Sequence, residues 1–256
     1  MPKIIAIYPT DKQESTKFLN RINTYLKRKL NEDWLCVKLN FSEKEHVSCI
    51  EFISKVNDKF ILFMGHGRSD KLFGSCSKES SDFVSFEAMQ YNESIYKNEN
   101  FINIENIKAF KDKILFSFSC NSNRNDKNSL GRNAILNGVK CFVGFGDIPT
   151  DYIDILPVKK LKISYDEIFP KRAIAVYKGI IIKIIKQCLF VSIQNNYTVQ
   201  GLVDLIKIQT NKEMQNLILS KNKNRHKKII VDKLFDFKSE ILVLGNSHEK
   251  IVELLA

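Results

Sequence analysis

Residues 61–67 read ILFMGHG, and residues 114–123 read ILFSFSCNSN. Each begins as an apolar run too short for a helix and stops abruptly at small or polar residues. Continuous apolarity, rather than alternation, marks strands buried on both faces, as in a parallel sheet covered by helices. Lys3–Tyr8 (KIIAIY), Trp34–Leu39 (WLCVKL), Lys59–Met64 (KFILFM), Lys113–Cys120 (KILFSFSC) and Lys140–Phe145 (KCFVGF) all have this character. Helical spacing lies between the first three: Phe18, Ile22, Tyr25, Leu26 and Leu30 within 14–30, then Val47, Ile50, Phe52, Ile53 and Val56 within 43–56. This β-α-β-α-β alternation predicts an α/β fold with a mostly parallel central sheet and helices on both faces.

Outside these segments, residues 68–100 break the rhythm. They are polar, with Ser75, Ser77, Ser80 and Ser81, and read as a long loop or hairpin insertion. Residues 102–110 and 127–137 read as short helices, the second closed by Gly138 as a C-cap. Helices then dominate at 170–194, 198–219 and 226–238, before a last strand, Ile241–Leu244. No internal repeat is visible, so residues 1–256 read as a single domain with a polar insertion at 68–100.

Composition narrows the function. The chain has 256 residues, 44% of them hydrophobic, including 18 Phe, enough for a large core and too apolar for a disordered chain. The net charge is +11, with residues 151–256 carrying 18 Lys/Arg against 11 Asp/Glu. A basic chain can bind nucleic acid or anionic lipid, but Lys, Asn and Ile are abundant throughout and the acids are well mixed in. The polar run 221–228 (KNKNRHKK) reads as a surface loop between helices. Residues 173–193 are the nearest approach to a membrane span, interrupted by Lys178, Lys183 and Lys186. Each lysine would cost roughly 2.5–3.5 kcal/mol near a bilayer centre, so a partly buried helix with its lysines in water is expected. Neither a nucleic acid nor a membrane is expected as partner. The six cysteines form no C-x-x-C pair, and only Cys49 has a histidine, His46, close to it in sequence, so no metal and no cofactor is expected. The start, Met1-Pro2-Lys3-Ile4, has no signal-peptide pattern, which points to a cytoplasmic protein with free thiols.

Ligands of open parallel sheets bind beyond the carboxyl ends of the strands. Two such ends carry chemistry here: Gly65-His66-Gly67 and Ser119-Cys120-Asn121. A thiolate is a strong nucleophile, and a nearby imidazole can generate or stabilise it. The glycines beside His66 allow a sharp turn and a close substrate approach. The N–H groups of Gly67 and Cys120 are candidate oxyanion donors. Cys36 and Cys141 sit inside strands, Cys49 and Cys188 in helices, and Cys76 in the insertion; His46, His226 and His248 read as surface residues. The alternative of a phosphate-binding loop at Gly65-His66-Gly67 lacks both G-x-G-x-x-G and G-x-x-x-x-G-K-[ST].

The ordered motifs ILFMGHG (61–67), ILFSFSCNSN (114–123), LGRNAILNGVKCFVGFGDIPTD (130–151) and EILVLGNSHEKI (240–251) resemble the CHAT domain, a caspase-like family related to separase within the caspase-haemoglobinase fold. Leu130-Gly131-Arg132, Gly138-Val139 and Leu244-Gly245-Asn246 match its pattern, the last with Asn in place of Asp. Cys120-Asn121-Ser122-Asn123 and Phe145-Gly146-Asp147-Ile148-Pro149 depart from it. The resemblance implies a three-layer caspase-like fold and a cysteine endopeptidase. His66 would then be the general base and Cys120 the nucleophile. Asp147 and Asp151 would be candidate substrate-binding carboxylates for an Arg or Lys before the cut, with Asp82 a weaker third. It further implies a protein substrate such as a gasdermin, another protease or a regulator, in bacterial immunity or programmed cell death. No sensor domain such as helical repeats is visible, so a switch would be a separate activator or the 68–100 insertion moving over the site. The competing reading is a catalytically silent caspase-like module that binds a protein partner.

Overall fold

The computed structural model describes residues 4–10, 14–57, 60–75, 100–149, 171–220 and 226–252. The apolar runs pair as strands β1 (Ile4–Pro9), β2 (Trp34–Leu39), β3 (Phe60–Met64), β6 (Ile114–Phe118), β7 (Cys141–Gly144) and β8 (Leu242–Gly245). Their order across the sheet is β2-β1-β3-β6-β7-β8. Every pairing is parallel except β7 with β8. β4 (Lys71–Leu72) and β5 (Ile102–Asn103) form a separate antiparallel ribbon.

Helices cover both faces, which explains why the central strands lack polar alternation. On one face, α2 (Asn20–Leu30), α5 (Lys171–Gln194), α6 (Val199–Leu219) and α7 (Lys227–Ser239) bury Leu26, Ile185, Ile206 and Leu234 against Ile4, Leu62, Phe116 and Val143. On the other, α3 (Glu43–Lys55), the 3-10 turn Ile107–Phe110 and α4 (Leu130–Leu136) pack Ile53, Phe110 and Ala134 against Ile5, Phe63, Leu115 and Phe142. In α5 the three lysines behave as the amphipathic reading requires. Lys183 pairs with Glu213 at 2.8 Å, while Lys178 and Lys186 lie over the rings of Phe18 and Tyr25. No helix among the described residues is long and apolar enough to cross a membrane.

Several sequence expectations are corrected. The helix at 14–30 is two pieces, α1 (Glu14–Lys17) and α2. The Leu19 N–H bonds Thr16 O and the Ile22 N–H bonds Leu19 O, tight three-residue steps that turn the chain between them. Residues 102–110 are not one helix. Ile102 and Asn103 pair with β4, and the Asn103 Oδ1 accepts the N–H groups of Glu105 and Asn106, a local bond that competes with helix. Helix α4 starts at Leu130 because the Ser129 hydroxyl caps it, accepting the Arg132 N–H. Gly138 does end it, at φ +87°. Of the polar insertion, residues 76–99 lie outside the described residues.

His46 is the plainest reversal: it is fully buried, not superficial. Its Nε2 accepts the Ser75 N–H at 3.0 Å, so Nδ1 carries the proton and donates to Ser42 O at 2.6 Å. The Phe101 ring packs edge-on against it, 4.9 Å between centroids. One imidazole therefore contacts both Ser75, within the insertion, and Phe101, the residue just after it. Replacing His46 with Leu leaves the Ser75 N–H buried without that acceptor, and such a loss costs about 1–3 kcal/mol. The expected outcome is a lower urea midpoint at unchanged m-value, measured by circular dichroism.

Candidate active site

The site is set by the ladder between β3 and β6. Phe60 pairs with Ile114 and Met64 with Phe118. His66 stands two residues beyond Met64, and Cys120 two beyond Phe118, so both leave the sheet at the same height from adjacent strands. A Gly65 N–H to Phe118 O bond of 3.4 Å continues the pairing past the ladder. His66 and Cys120 line one cleft with Thr16, Phe18, Leu19, Gly65, Phe118, Ser119 and Ile148. Cys120 is half-buried, and its Sγ donates to Ile148 O at 3.4 Å.

Gly67 faces Leu72 across a narrow antiparallel bridge. The flanking bonds run from the Phe73 N–H to His66 O and from the Arg68 N–H to Lys71 O. In that pattern the Gly67 N–H turns away from β4. A Cβ at Gly67 would lie 2.7 Å from the Ser119 Oγ, so glycine is required where the histidine loop meets the cysteine loop. Both loops converge as the sequence reading anticipates.

Asp147 is exposed and does not line the cleft among the described residues, though its neighbour Ile148 does. Its N–H donates to the Glu240 Oε2 at 3.1 Å. Asp151 and Asp82 lie outside the described residues. Two carboxylates that the sequence reading missed stand nearby, Asp236 and Glu240. The buried Tyr177 hydroxyl registers the whole group. Its pKa is raised well above 10, first by burial, then by the charges of Cys120, Asp147, Asp236 and Glu240. No local signal could have found Glu240, which is separated from Asp147 by 93 positions in sequence. Among the described residues no group of three or more His, Cys, Asp or Glu side chains is placed to hold a metal ion.

Burial raises the Cys36 thiol to about 11 and the Cys49, Cys141 and Cys188 thiols to about 12, from an ordinary 9.0. Compared with family models and with curated proteins, the chain matches none.

Iodoacetamide at pH 8 should modify Cys120, which lines the cleft with His66, ahead of Cys36, Cys49, Cys141 and Cys188, whose thiols burial holds protonated, as read by peptide mapping of the native protein. The same burial gives a pH dependence. Unfolded thiols ionise near 9 while the folded ones hold their protons to about 11–12. Stability is thus full below pH 9 and declines as pH rises toward 12. The urea midpoint should fall steadily over that window, and less steeply in Cys49→Ala.

Proposed function

We propose that this protein is a caspase-like cysteine endopeptidase that cleaves a specific protein substrate. The observation that carries the reading is the delivery of His66 and Cys120, from register-matched ends of adjacent parallel strands, into one cleft. A mostly parallel sheet covered on both faces, with a final strand closing one edge, supports the CHAT-like resemblance of the motifs.

In this mechanism His66 takes the Cys120 proton and the thiolate attacks the scissile carbonyl carbon. Charge develops on the carbonyl oxygen, where the Gly67 and Cys120 N–H groups stabilise it. Collapse breaks the C–N bond, and His66 returns its proton to the departing amine. The resulting thioester is hydrolysed by water activated by the same imidazole. Asp147, exposed beside the cleft residue Ile148 and with its N–H held by Glu240, favours a cationic Arg or Lys side chain before the cut. A gasdermin, another protease or a regulator fits as substrate, in a cytoplasmic immune or cell-death pathway switched by a separate activator. A silent module that only binds a partner would retain the fold without needing this pairing of His66 and Cys120.

Wild type and Cys120→Ala, incubated with the proteins encoded beside it, should differ by complete loss of cleavage in the variant when cut sites are mapped by mass spectrometry. His66→Ala should lose roughly 10²–10⁴ in kcat. If no neighbour is cut and a thiol-directed peptide probe leaves Cys120 unlabelled, the silent-module reading takes its place. Asp147→Asn combined with Glu240→Gln should raise KM for basic peptides about tenfold, with little change in kcat.

A further inference from the structure

We infer that Ser122 is the positioning residue for the Cys120 oxyanion donor, an inference that rests on the protease reading of Cys120. Ser122 is 1% exposed and lies in the turn just after the cysteine. Its hydroxyl accepts the Phe145 N–H at 2.9 Å. Its own proton is directed at a group of carbonyls, Ser119 O at 3.0 Å, Ser117 O at 3.2 Å and Phe145 O at 3.4 Å. The closest of these matters most. Ser119 O and the Cys120 N–H belong to one peptide group, which is planar and trans. Holding the oxygen on one side fixes the N–H on the other. The Ser122 hydroxyl therefore sets the direction of the N–H that would face a developing oxyanion.

The surroundings make the arrangement rigid. Asn121 is in the left-handed region at φ 55°, which reverses the chain directly after Cys120, and its N–H donates to Gly146 O at 2.9 Å. Ser122 O sits so close over β7 that a Cβ on Gly144 would lie 2.2 Å away. The Ser119 Oγ is bonded to the Ser117 Oγ at 2.9 Å and abuts Gly67. Through Phe145 the same serine also anchors the segment that leads to Asp147. Ser122 itself stays out of reach of a reacting group in the cleft, so its part is to position.

The test separates chemistry that needs an oxyanion hole from chemistry that does not. With p-nitrophenyl acetate, the Cys120 thiolate forms a C–S bond, the ester C–O bond breaks and p-nitrophenolate leaves, through an oxyanion. Iodoacetamide alkylates the same sulfur by displacing iodide, with no oxyanion. Ser122→Ala should be acylated about 100-fold more slowly, the usual effect of losing one such donor, while its alkylation rate stays within about threefold of wild type. Thr198→Ala, which removes the hydroxyl cap of α6, serves as the control for general destabilisation and should change neither rate. Equal loss of both rates in Ser122→Ala, or loss of neither, overturns the positioning role while leaving Cys120 as nucleophile. A wild-type protein acylated no faster than Cys120→Ala overturns the protease reading, and this inference with it.

Discussion

The parallel hydrogen-bond ladder between β3 and β6 is the constraint on which the site depends. A strand advances about 3.3 Å per residue and its side chains alternate between faces. A slip of one position would move Cys120 relative to His66 by that distance and exchange the side chains that one strand sends into the two covered cores. The register is held because both strands are buried on both faces. Phe60, Leu62 and Met64 pack with Phe116 and Phe118 on one side, while Ile61 and Phe63 pack with Leu115 on the other. Core packing and site geometry are thus one requirement: the aromatic residues that make the sheet insoluble in water also fix where its two reactive ends emerge.

Where β6 ends, the core gives way to hydroxyls. Ser117, Ser119 and Ser122 are all buried, and each has a partner. A buried hydroxyl is tolerated only when bonded, and here the bonds tie the cysteine turn to the end of β7. Polar atoms in this place give the loop one conformation where apolar residues of similar size would allow several. Gly67 and Gly144 serve the same end, since neither position has room for a Cβ.

The C-terminal helices complete the site. Phe237 of α7 stacks on Phe145 at 5.6 Å, and Phe145 in turn meets Phe116 and Phe118 edge-on. That aromatic cluster seats the end of α7, from which Glu240 reaches Asp147 and its carbonyl accepts from the Asn123 side chain. Tyr177 of α5 lies beneath, buried and neutral. The segment after β7 is consequently held from two directions, by the cysteine turn and by a helix end distant in sequence.

Much of this was legible from residues 61–67 and 114–123 alone. Apolar runs of strand length, separated by amphipathic helices, point to a covered, mostly parallel sheet, because helical crossovers between such strands bury both of their faces. That His66 and Cys120 stand at strand ends follows from where apolarity stops. Other features were settled only by the tertiary structure. Whether β3 and β6 are neighbours depends on strand order, which local pattern does not encode. His46 looked superficial because α3 is polar around it; its burial comes from Ser75 and Phe101, brought over it by the β4–β5 ribbon. The strand at Ile102–Asn103 exists because β4 supplies a partner. The alignment of Glu240 with Asp147 and the grip of Ser122 on the Ser119–Cys120 peptide arise from contacts between segments far apart in the chain or from a backbone reversal. Local sequence specifies periodicity, and hence elements and faces; the meeting of particular atoms is a property of their packing.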